Sequence, residues 1–199
     1  MLSLGCLLSV GANAEPTAGQ APLSVANLVN GVCATCHGPR GISVLPKYPR
    51  LAGQNANYLM VQLMAFRSRT RGDADAVGFM WGMAAQLDDP TIEALATYYS
   101  QQKPIAGRSG DTSLMARGNE IFNNGLESEG VPACSACHGT QGQGMADFPR
   151  LAGQHEQYLL KQLGAFQNNM RDVAVMHGVA AGLKSKDMQA VAAFLQAQP

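Results

Sequence analysis

Three features of the sequence predict an all-α protein built as two similar halves: apolar residues recur at helical spacing, no run alternates with period two, and a hexapeptide returns one hundred residues later. Leu59, Leu63 and Phe66 fall at i, i+4 and i+7, and Leu159, Leu163 and Phe166 repeat the stripe. Ile92, Leu95, Ala96 and Tyr99 form another, matched by Met188, Val191, Ala192 and Leu195. The hexapeptide Pro49-Arg50-Leu51-Ala52-Gly53-Gln54 recurs as Pro149-Arg150-Leu151-Ala152-Gly153-Gln154. Cys33-Ala34-Thr35-Cys36-His37-Gly38 recurs as Cys134-Ser135-Ala136-Cys137-His138-Gly139, so the order of features is the same in both halves.

In chain order, Leu2 to Val10 is a short apolar run followed by Gly11-Ala12-Asn13-Ala14-Glu15, with small residues where a signal peptidase reads. Residues 1–14 are expected to be a cleaved leader, which exports the mature chain to an oxidising compartment, the periplasm in the reading that the resemblance given below implies. A buried N-terminal helix is the alternative. The segment is too short for a membrane helix, and no later stretch reaches about 18 consecutive apolar residues. Cys6 does not sit in a lipoprotein signal, because Ser3 stands where leucine is required. The domains are expected at residues 15–104 and 112–199. Between them, 105–111 forms a linker that follows Lys103-Pro104 and carries Gly107, Ser109 and Gly110. Asp89 before Pro90 reads as a helix N-cap, and Ser185 takes the corresponding place in the second half. The charged stretch Arg67 to Asp75 reads as either a docking surface or a solvated insertion, and exposed charge runs favour the insertion.

Composition narrows the function. Lys and Arg number 14 and Asp and Glu 14, so there is no basic surplus for nucleic acid. Charged residues make up only 14% against a usual figure of about 25%, while 46% are hydrophobic, which excludes disorder. Aromatic residues are only 6%, so two domains of this size need something besides their own side chains to fill their cores.

The Cys-x-x-Cys-His segments supply that filler. Two cysteines three apart on a helical turn can each add to a vinyl group of one porphyrin, and the adjacent histidine then faces the iron. Cys33, Cys36, Cys134 and Cys137 are the expected attachment points of two covalently bound haem c groups, with His37 and His138 as axial ligands. A zinc site would not need the histidine that follows each pair, and thioredoxin-like chemistry needs a βαβ setting that is absent. The duplication serves as an internal control for the sixth ligand. Of the ten methionines, Met80 and Met176 align with each other, whereas Met60 meets Leu160, Met64 meets Gly164 and Met83 meets Val179. Met170 remains an alternative, lying where the halves differ in length. His155 and His177 pair with Asn55 and Trp81, so a symmetric protein would not use them as ligands, and they read as surface or interface residues. Thioether opposite imidazole raises the reduction potential and closes both axial positions, leaving no room for a small-molecule substrate at iron. Pro49 and Pro149 follow the histidines by 12 and 11 residues, and their carbonyls are candidate acceptors for the second ring N–H. Arg50 and Arg150 are candidate partners of haem propionates.

Two CxxCH segments in tandem, each followed by P-R-L-A-G-Q, a Y-L-x-x-Q-L helix and a downstream methionine, resemble the cytochrome c4 family of dihaem class I c-type cytochromes. The resemblance covers nearly all of residues 15–199. It implies two tandem class I cytochrome c domains related by pseudo-twofold symmetry, each wrapped round its haem, with the propionate edges facing each other. It also implies the axial pairs His37 with Met80 and His138 with Met176, and a histidine N–H accepted by Pro49 or Pro149. The expected function is that of an electron carrier, not an enzyme, between a quinol-oxidising cytochrome bc complex and a terminal oxidase or reductase. Peripheral membrane association stays open. A haem subunit of a periplasmic dehydrogenase and a dihaem peroxidase are the alternatives. One departure from the pattern is the first helix: Gly118 and Phe122 give the second half a glycine-aromatic crossing that Ala26 to Asn30 lacks.

Overall fold

The computed structural model describes residues 24–199, so the leader expected at 1–14 lies outside the described residues. Among the described residues the elements are helical throughout, with isolated bridges but no strand. In the first half, α1 (Val25–Asn27), capped by the Ser24 hydroxyl, continues through a wide-turned segment, Leu28–Cys33, into α2 (Ala34–His37). Gly38, at φ 74°, ends this run, where a Cβ would lie 2.3 Å from the carbonyl oxygen of Ile42. α3 (Ala56–Arg67), a second wide-turned segment (Ala76–Met80), α4 (Trp81–Ala84) and α5 (Asp89–Ser100) follow. The second half comprises α6 (Thr112–Asn124), α7 (Ser135–His138), α8 (Glu156–Gln167), α9 (Ala174–Ala181) and α10 (Ser185–Ala197).

Two capping expectations shift by one residue. Asp88, not Asp89, caps α5: its carboxylate accepts the Thr91 N–H at 2.9 Å, which leaves Asp89 and Pro90 inside the first turn. Asp89 instead meets the Arg67 guanidinium at 2.6 Å. Lys184 stands at the N-cap of α10 without a side-chain capping bond, its Nζ donating instead to Glu129 at 2.8 Å, and Ser185 is the first helical residue.

The periodic stripes form the cores. Ile121, Phe122, Leu159, Val191 and Leu195 are buried together in the second half, and Val29, Leu59, Leu95, Ala96 and Tyr99 in the first. The halves close their cores differently. α6 crosses α10 at Gly118, where a Cβ would lie 2.0 Å from the carbonyl oxygen of Ala190, while the shorter α1 buries no residue and the wide-turned segment that follows it contributes Val29 alone.

The halves meet face to face through reciprocal contacts about a pseudo-twofold axis. Gln54 Nε2 donates to the Arg150 carbonyl at 2.9 Å, and Gln154 Nε2 donates to the Arg50 carbonyl at the same distance. Further along, the Arg71 guanidinium donates to Gln62 and Gln162 at 2.8 Å each, while Arg171 donates to Gln162 at 2.8 Å and Gln62 at 2.9 Å. Tyr158 and Tyr58 complete the cluster, accepting from Arg71 and Arg171 respectively. The stretch 67–75 is therefore solvated only in part: residues 68–70 and 74 are exposed, but Arg71 and Asp73 are only 7% and 5% exposed and pair at 2.7 Å. Cross-domain glutamines and the Phe66 ring beneath Arg71 replace the water that an exposed charge would have.

Two candidate haem centres

Each CxxCH segment occupies a single helical turn. Cys33, Cys36, Cys134 and Cys137 are half-buried, and no disulfide joins them. The histidines that follow are buried and bonded alike. The Nδ1–H of His37 donates to the Pro49 carbonyl at 2.9 Å, and that of His138 to the Pro149 carbonyl at 3.0 Å. Burial lowers both imidazole pKa values, so each ring is neutral. A carbonyl can only accept, so Nδ1 carries the proton and Nε2 keeps its lone pair for a metal.

Aromatic contacts bring the methionine segment of the first half toward its histidine. Tyr48 lies edge-on to His37 with centroids 6.4 Å apart, and edge-on to Phe79 at 6.3 Å. Met80 follows Phe79 directly and is half-buried against the cluster of Phe66, Ala76 and Ala84. In the second half Phe148 stands edge-on to His138 at 6.1 Å, and Met176 is half-buried in α9. Met170 is 42% exposed, and its carbonyl accepts the Gly72 N–H across the interface at 2.9 Å. His155 is an interface residue: it is buried, with Nε2 3.1 Å from the Ser43 carbonyl of the other half. His177 is half-buried, donating Nδ1–H to the Phe166 carbonyl at 2.9 Å.

Arg50 and Arg150 lie at the domain junction. Arg50 donates Nε to the Ser43 carbonyl at 3.3 Å and Nη1 to the Gly153 carbonyl. Arg150 donates Nη2 to the Pro199 carbonyl, while its Nε is buried with no partner among the described residues. Four members of the interface network, Tyr58, Gln62, Tyr158 and Gln162, come from the repeated Y-L-x-x-Q-L segments, but no motif announces their partners Arg71 and Arg171. The signal that links the arginines to the tyrosines and glutamines is that all three pairs repeat at an offset of one hundred.

The residues present fit porphyrin and do not fit zinc. Among the described residues no three His, Cys, Asp or Glu side chains gather where they could hold a metal ion, so the two CxxC pairs do not combine. Val44, Leu45, Val77 and Phe79 in the first half, and Met145, Phe148 and Val175 in the second, stand exposed beside the CxxCH and methionine segments. They offer the apolar walls a porphyrin face requires. A helical fold with two such centres defines a two-domain c-type cytochrome.

Comparison with known proteins agrees. The family model described as Cytochrome c matches residues 115–199. Cytochrome c4 of Azotobacter vinelandii is 35% identical over 98% of this chain and 95% of its own. The solved cytochrome c4 of Acidithiobacillus ferrooxidans superposes with a TM-score of 0.78 at 41% identity, over 83% of this chain and 98% of that one. The thiosulfate dehydrogenase electron acceptor of Thiomonas intermedia is 38% identical over 84% of this chain and 78% of its own. The chain belongs to the cytochrome c4 family. It carries two covalently bound haem c groups and transfers electrons; it is not an enzyme.

Proposed function

We propose that the protein is a periplasmic carrier passing single electrons from a quinol-oxidising cytochrome bc complex to a terminal oxidase or reductase. His37 with Met80 and His138 with Met176 are the axial pairs in this reading. Bound haem supplies a one-electron couple, and the chain's residues fix its ligands and surroundings. The observation that carries the reading is the duplicated histidine geometry, in which each Nδ1–H is committed to a proline carbonyl and each Nε2 is left as a ligand. Both ligand sets closed by protein suit electron transfer and exclude substrate chemistry at iron. The buried, unpartnered Nε of Arg150 supports a role for that guanidinium beside a haem propionate, and Arg50 holds the equivalent place. No helix among the described residues is long and apolar enough to cross a membrane, which fits a carrier that docks peripherally.

Carbon monoxide added to the reduced protein tests the closed-ligand reading: slow or negligible binding at neutral pH is expected, and rapid binding would favour a peroxidase-like open haem. Crosslinking in periplasmic extract identifies the partner. The likeness to a thiosulfate dehydrogenase electron acceptor supports a second reading, in which the electron donor is a periplasmic dehydrogenase. Co-purification with such an enzyme would select it.

A further inference from the structure

Each of the two histidines is bonded to a peptide unit that the opposite half holds. The carbonyl of the Pro49–Arg50 peptide accepts from His37, and the N–H of the same peptide donates to Gln154 Oε1 at 2.9 Å. In the second half the Pro149–Arg150 peptide accepts from His138 and donates its N–H to Gln54 Oε1 at 2.8 Å. Both glutamines are buried, so these bonds are not shared with solvent. Their amide orientation is fixed, because each Oε1 also accepts the backbone N–H of the next residue, Asn55 at 2.9 Å and His155 at 3.0 Å. A flipped amide would set donor against donor at both contacts.

Hydrogen bonds in a chain polarise one another. A peptide whose N–H is engaged by an acceptor presents a more negative carbonyl, the more so in a low-dielectric interior. A histidine that donates Nδ1–H to a stronger acceptor is a more basic ligand through Nε2. We propose that Gln154 tunes His37 and Gln54 tunes His138, so that each domain sets the ligand strength at the other domain's haem. The glutamines act as positioning residues through the intervening peptide. The inference rests on the reading of His37 and His138 as iron ligands.

The sign follows from ligand basicity: a more basic imidazole favours ferric iron, so losing the glutamine raises the potential. The test uses the holoprotein with Gln154→Leu and Gln54→Leu, each haem's potential being followed separately by spectroelectrochemistry and NMR. Gln154→Leu is expected to raise the potential of the N-terminal haem and move the His37 Nδ1 proton upfield in the reduced protein, with a smaller change at the C-terminal haem. Gln54→Leu is expected to do the reverse. Gln154→Glu gives up the Nε2 bond to the Arg50 carbonyl but keeps the acceptor and adds negative charge, so it is expected to lower the N-terminal potential; a general loosening of the interface would not reverse sign in this way. It also serves if the leucine variants fail to fold. Shifts on the same side as the substitution, equal shifts at both haems, or no shift would overturn the inference while leaving the ligand reading intact. A wild-type spectrum in which either histidine is not an iron ligand would overturn both.

Discussion

At the scale of single residues, the sequence discloses the groups that repeat in a recognisable motif and hides those whose role depends on the other half. CxxCH can be read locally because its spacing is dictated by one porphyrin. Arg71 looks like one charge in a run of charges, and only the fold shows it buried between two glutamines from different domains. Met80→Ala and Met176→Ala are each expected to remove about half of the sulfur-to-ferric charge-transfer absorption, as read by optical spectroscopy of the oxidised protein. Arg150→Gln is expected to lower the C-terminal haem's potential, because loss of a nearby positive charge favours the ferric state; an unmoved potential would remove Arg150 from the propionate assignment. Burial alone would push the Tyr58 phenol up, but the Arg171 and Arg71 guanidiniums beside it outweigh that and hold it below the usual range. Tyr99 is pushed well above that range by burial. In a tyrosine-selective NMR titration toward high pH, Tyr58 is therefore expected to ionise before Tyr99.

At the scale of elements, periodicity locates the long helices, while the exact caps and the wide-turned segments depend on tertiary context. Gly118 illustrates how close packing settles a substitution. Alanine is favoured over glycine in a helix by up to about 1 kcal/mol, but a Cβ here would meet the Ala190 carbonyl oxygen at 2.0 Å. The clash wins, and Gly118→Ala is expected to cost about 1–3 kcal/mol in denaturant unfolding as α6 and α10 are forced apart. At Gly31 a Cβ would find nothing within 4 Å, so Gly31→Ala is expected to be neutral or mildly stabilising. Asp88 and Asp111 cap α5 and α6, and bonds to Thr91 and to Ser113 and Leu114 hold both carboxyls below the ordinary value. A depressed folded-state pKa gives stability that is present above the unfolded value of about 4 and lost as the pH falls through it toward the folded one. Asp88→Ala and Asp111→Ala should therefore lower the unfolding midpoint at pH 7 and have less effect at pH 3.

At the scale of the whole molecule, the two halves share a motif order but not their charges. Arg71 faces the carboxylate of Asp73, whereas Val173 occupies the second residue beyond Arg171. Removing one member of a buried ion pair strands the other, so Arg71→Met is expected to cost about 3–5 kcal/mol in unfolding of the holoprotein. Arg171→Met leaves no carboxylate stranded and should cost less; equal losses would show that Asp73 contributes little. The repeat is plain in the sequence, but the manner in which the halves meet is not. Gln54, Gln62 and their counterparts are ordinary polar residues on their own helices and loops, and they become structural only when a second copy supplies the complementary peptide groups.

That complementarity has a historical consequence. Contacts in which Gln54 of one half meets Arg150 of the other, while Gln154 meets Arg50, are isologous: one surface patch pairs with a copy of itself. Such a patch works equally well between two separate chains. Joining the two copies in one chain replaces a concentration-dependent association with an intramolecular one. Once the halves were joined, each was free to diverge, and Asp73 beside only one of the two arginines is a trace of that divergence.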